Sequence, residues 1–129
     1  MSVNSDFAIA QEPTKPSKAL NFTLWGVQIL TALAFLAAGG SKLSSAPAMV
    51  DMFEKVGLGQ WFRYVTGSSE VIGAVLLLLP GTAAIGGWLL AAVMIGAIGT
   101  HLFLIGGNPI LAAVLLVLAI TVGWNRSKR

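Results

Sequence analysis

The chain has 129 residues, of which 56% are hydrophobic and only 10% charged, with mean hydropathy +0.83 and net charge +3. A soluble domain carries about 25% charged residues, so this composition excludes an ordinary water-soluble globule and points to a single integral membrane domain. Cysteine is absent, which excludes disulfides, thiol redox chemistry and iron–sulfur or cysteine–zinc sites held by this chain alone.

Residues 1–19 are polar and include Asp6, Glu12, Pro13, Lys15, Pro16 and Lys18. They read as a disordered tail and lack the pattern of a signal peptide. Residues 20–38 form the first membrane-length apolar run, interrupted only by Gln28 and Thr31. Gly39 and Gly40 then read as a helix break, with Lys42 at the interface beyond it. In residues 46–56, Met49, Met52, Phe53 and Val56 share one helical face and Asp51, Glu54 and Lys55 fall elsewhere. Pro47 suits a first turn and Gly57 a C-terminal cap. The segment is too short to span and predicts an interfacial amphipathic helix.

Residues 60–79 are the second span, with Trp61, Arg63 and Tyr64 at its polar edge. Pro80 and Gly81 turn the chain into the third span, residues 82–104. There Ala92, Gly96 and Thr100 make a row of small residues suited to helix packing, with Gly73 as a matching notch on the second span. After the turn at residues 106–109, residues 110–124 form the fourth run, anchored by Trp124. Arg126, Lys128 and Arg129 form a basic tail over residues 126–129. The expected organisation is therefore an all-α, four-helix membrane bundle over residues 20–125, with a short interfacial helix between the first and second spans.

Four spans place both termini on one side. Lys15, Lys18, Arg126, Lys128 and Arg129 then oppose Lys42, Lys55 and Arg63, five against three. The positive-inside rule puts the larger group, and both termini, in the cytoplasm. The partner implied by this pattern is the lipid bilayer; nucleic acid is not implied.

Between Tyr64 and Asn125 only Glu70 carries a formal charge. A charged side chain at the middle of a bilayer costs from about 2.5 kcal/mol upward. It needs a cation, a hydrogen-bond donor or a proton. Lys42, Arg63 and His101 all fall in the same half of the bundle by this topology, so Lys42, Glu70, His101 and Arg63 form a candidate ligand pocket or buried ion pair. Two readings stand side by side: Lys42 and Glu70 lock helices together, or they serve a ligand or proton. A single histidine and no cysteine give no metal site and no bis-histidine haem.

These residues resemble the DoxX-like family of small four-helix membrane proteins. Gly39, Gly40, Ser41, Lys42 and Leu43 match its Gly-x-x-Lys-Leu turn. Glu70 between Gly67 and Gly73 matches its glutamate, and Leu76 to Pro80 and His101 match its later features. The resemblance implies association with quinone-linked redox complexes, so a quinone is the one cofactor it suggests, and it implies no fixed reaction. Three functions follow. The first is an accessory or binding subunit whose outward-facing polar pocket takes a small amphipathic, quinone-like ligand or a partner helix; a membrane-protein partner or a homo-oligomer is the protein partnership this allows. The second is a redox-linked or proton-coupled enzyme or carrier using Glu70 and His101. The third is a scaffold without a ligand.

Overall fold

The computed structural model describes residues 17–128. The tail expected over residues 1–16, and Arg129, lie outside the described residues. Helix α1 runs over Lys18–Leu43, α2 over Pro47–Val56, α3 over Trp61–Leu78, α4 over Ala83–Thr100 and α5 over Ile110–Ser127. A π-helical turn, His101–Ile105, extends α4. Strands are absent among the described residues. Three segments are long and apolar enough to cross a membrane: α1, α4 with its π turn, and α5. The other long helix, α3, has 18 residues and carries both Arg63 and Glu70. The chain is an all-α membrane bundle.

Local chemistry sets the helix ends. Ser17 Oγ accepts from the Leu20 amide at 3.0 Å, and α1 begins at Lys18. Gly57, at φ 83°, ends α2 in the left-handed conformation. Pro80 has no amide hydrogen to offer Leu76. The Leu76 carbonyl accepts instead from the Leu79 amide at 3.3 Å and from Thr82 Oγ1 at 3.0 Å.

The expected break at Gly39 and Gly40 does not occur, and α1 continues to Leu43. The reason is close packing. A Cβ on Gly39 would fall 2.8 Å from the Gly67 carbonyl, and one on Gly67 2.9 Å from Lys42 Cβ. These glycines let α1 and α3 touch backbone to backbone. Glycine serves the opposite end of the bundle too. A Cβ on Gly87 would fall 2.6 Å from Gly123 N, and one on Gly86 2.8 Å from the Gly73 carbonyl. Gly73 itself receives Leu90, whose side chain would lie 2.6 Å from a Cβ there. So α3, α4 and α5 are drawn together near the Pro80 turn.

That end is also tied by polar side chains. Gln28, fully buried, donates Nε2 to the Leu77 carbonyl at 2.8 Å. Arg126 donates Nε to Gln28 Oε1 at 2.5 Å and Nη1 to Asn21 Oδ1 at 2.8 Å. Arg126 was expected in a basic tail, but it belongs to α5 and is buried. Its stem packs against the bundle while its fork satisfies two amide oxygens, which holds it in place. Between the two ends lies an apolar core that includes Phe35, Leu77, Leu90, Met94 and Val122.

Candidate functional site

At the end away from Pro80 the helices separate around a cavity of about 590 Å³. Lys42, Glu70 and His101 all line it. Lys42 reaches it from the last turn of α1, where a cation also suits the helix dipole. Glu70 comes from the middle of α3, and His101 from the first residue of the π turn. Met49, Met52, Phe53 and Val56 of α2 line it as well, so the amphipathic helix lies across its mouth.

Lys42 Nζ stands 2.9 Å from Glu70 Oε1. The contact is an ion pair, and no group other than Lys42 reaches either carboxylate oxygen. The two charges differ in access: the side chain of Lys42 is 14% exposed and that of Glu70 only 1%. The lysine faces the cavity, while the carboxylate sits behind it. The pair is neutral overall, and the surrounding wall is apolar. Such a site suits an uncharged molecule with a small polar head and a large apolar body.

Arg63 is not in the cavity wall. It is buried at 3% exposure, donates Nη1 to the Lys42 carbonyl and Nε to Gln60 Oε1 at 2.7 Å, and stacks over Tyr64 at 4.3 Å. Expected at the pocket or the interface, it instead shares with the Ser45 amide a carbonyl in the last turn of α1 that has no partner within the helix. Through that bond it holds the backbone from which the Lys42 side chain extends.

The row Ala92, Gly96 and Thr100 also departs from expectation. All three line the cavity, and no atom outside α4 lies within 4 Å of where a Cβ on Gly96 would be. Within this chain the row meets open space because α3 and α4 diverge above Gly73. The close contacts of α4 fall instead at Gly86 and Gly87.

His101 Nδ1 is 3.1 Å from the Gly106 carbonyl. A carbonyl only accepts, so Nδ1 carries the hydrogen and the neutral ring keeps Nε2 as an acceptor. The π turn that sets this geometry was missed from the sequence, where Gly106 and Gly107, both at positive φ, are the nearest signal. The buried Gln28–Arg126 cluster was missed too. Its signal is the seven-residue spacing of Asn21 and Gln28, which puts both on one face of an apolar helix. Among the described residues, no three His, Asp or Glu side chains come together as a metal-binding group.

Comparison with known proteins adds three findings. The model of the DoxX-like family matches residues 26–124. A 74-residue stretch, 57% of this chain, is 32% identical to the Bacillus subtilis (strain 168) protein named "Putative oxidoreductase CatD", and covers 55% of that protein's length. No solved structure matches.

Proposed function

This chain belongs to the DoxX-like family, and on that premise we propose that it is an accessory or binding subunit of the cell membrane whose outward-facing cavity takes a small amphipathic molecule. The observation that carries this reading is the buried Lys42–Glu70 pair at the wall of a 590 Å³ cavity. A pair that served only to lock α1 to α3 would need no cavity beside it, because Gly39 and Gly67 already bring those helices into contact. A quinone-like ring is one occupant of the right kind, with a carbonyl that could accept from Lys42. The family resemblance and the name of the Bacillus relative favour a redox-linked role for the assembly. On this reading His101 is a polar contact for the ligand.

The topology belongs to the same proposal. With both termini cytoplasmic, the cavity opens to the outer side. Reporter fusions after Arg129 and between residues 44 and 58 should report opposite faces, with the loop outside. Purification in mild detergent followed by organic extraction and mass spectrometry tests the ligand. A small apolar molecule retained by the native chain and lost from Lys42→Met supports the reading. Extracts holding only bulk phospholipid in both would refute it.

A further inference from the structure

The cavity wall is interrupted between α3 and α4. Three lining residues are exposed on facing helices: Val65 on α3, and Ala92 and Gly96 on α4. They border a seam that is tight toward the Pro80 end, where Leu90 fills the notch at Gly73. It is slack toward the cavity, where nothing lies within 4 Å of a Cβ on Gly96. The outer surface of α4 beside it is apolar, with Ile95 exposed. The seam therefore opens onto hydrocarbon, a medium that delivers alkyl chains and not ions.

The hydrogen atoms in the wall say what kind of head fits. Ser41 donates its hydroxyl to the Ala37 carbonyl, Ser69 to Val65 and Thr100 to Gly96, at 2.8, 2.8 and 2.9 Å. Each hydroxyl has spent its hydrogen and offers the cavity lone pairs only. His101 offers Nε2 as an acceptor, because Nδ1 is committed to Gly106. Glu70, with 1% of its side chain exposed, has Lys42 as its one polar contact. Lys42 is the one cation in the wall, and its charge is balanced by Glu70. The wall is thus electrically neutral and offers both kinds of partner: hydrogens at Lys42 Nζ, the Thr66 hydroxyl and the Asn108 amide, and lone pairs at Ser41, Ser69, Thr100 and His101, so the head that fits both accepts and donates.

We infer, on the reading that this cavity holds a ligand, that the occupant is a neutral, bilayer-dissolved alcohol or phenol that enters through the seam between α3 and α4. It donates its hydroxyl to His101 and leaves its alkyl tail lying out past Val65 and Gly96. An anionic head would meet Glu70 behind Lys42, and a cationic head would meet Lys42 first. An ether or a saturated hydrocarbon would leave the His101 acceptor bare.

The test uses the full chain in phosphatidylcholine nanodiscs and three probes: 4-ethylphenol, 4-dodecylphenol and 4-dodecylanisole. Affinities are read from the ligand-induced shift in melting temperature. Loss of one hydrogen bond predicts that the anisole binds about tenfold more weakly than the matching phenol. Gly96→Phe and Ala92→Phe place a ring at the seam, where nothing lies within 4 Å of a Cβ on Gly96; their unliganded melting is read beside that of the native chain, so that a folding defect is distinguished from a lost ligand. Both should lose 4-dodecylphenol and keep 4-ethylphenol, which fits inside. Val117→Phe alters an exposed residue on α5 that is not part of the cavity wall, and should keep both phenols. Equal affinity for the anisole and the phenol, or undiminished 4-dodecylphenol in both seam variants, overturns this inference while the cavity reading stands. If the native chain binds none of the three probes, the cavity reading falls together with it.

Discussion

The Lys42–Glu70 contact makes an asymmetric prediction. Truncating one member of a buried ion pair costs about 3–5 kcal/mol, because the survivor is stranded without a partner. The two survivors here are not equally stranded. Lys42→Met leaves Glu70, whose side chain is 1% exposed, with no cation and no aligned hydrogen bond. That loss should approach about 3 kcal/mol. Glu70→Gln leaves Lys42, which is 14% exposed and can turn its ammonium into the cavity to meet water or the free hydroxyl lone pairs. Its loss should be nearer 1–2 kcal/mol, the range of a polar group left partly satisfied. The double variant strands neither charge, so it should lose less than the sum of the singles by roughly 1–3 kcal/mol. Equilibrium unfolding of the four proteins in one detergent measures all three quantities. Losses that add to within about 0.5 kcal/mol would show that the two side chains are not coupled. A larger loss for Glu70→Gln than for Lys42→Met would refute the argument from exposure.

Glycine substitutions should separate packing from cavity. Gly87→Ala puts a methyl carbon against backbone atoms of Gly123 and Ala119, which cannot turn aside, and should cost about 1–3 kcal/mol. Gly96→Ala meets nothing and should be neutral or stabilising by up to about 1 kcal/mol, through helix propensity. The same unfolding assay reads both, and equal losses would contradict the divergence of α3 from α4. For α2, single cysteines at Met49, Met52, Phe53 and Val56 should react slowly with a water-soluble thiol reagent compared with cysteines at Asp51 and Glu54. The native chain has no cysteine to give background. Uniform labelling at all six positions would remove α2 from the cavity mouth.

Charge in an apolar run was the most legible signal in this sequence. The cost of burying Glu70 narrows its neighbours to whatever polar groups share its depth, and helix topology supplies Lys42 and His101 at that depth. The amphipathic face of α2 was legible for a similar reason, because its period matches a helix and its ends carry Pro47 and Gly57. Glycine was the least legible residue. Gly39, Gly87 and Gly96 look alike in sequence, yet the first two admit a neighbouring backbone and the third borders open space. The difference lies in whether another helix arrives there, which a single sequence does not encode. Arg126 was hidden by its place near the chain end, where a basic residue reads as topology. Only its register with Asn21 and Gln28, about a hundred residues away, marks it as part of the bundle.

The two ends of the bundle are built differently, and the difference bears on what fills the cavity. Near Pro80, helices meet through glycine, and Gln28 and Arg126 join α1, α3 and α5. At the other end α1 and α3 stay in contact through Gly39 and Gly67 while α4 and α5 swing away. A cavity that opens between α3 and α4 takes whatever the bilayer or the water beside it supplies. Water satisfies the few polar groups around Lys42 but gains little from walls made by Met52, Phe53, Val93 and Leu115. A lipid tail satisfies those walls and leaves the acceptors at His101 and Ser69 bare. A molecule with an apolar body and one hydroxyl meets both demands at once. On the proposed reading, the tightly tied end would let the bundle keep its shape while such an occupant comes and goes.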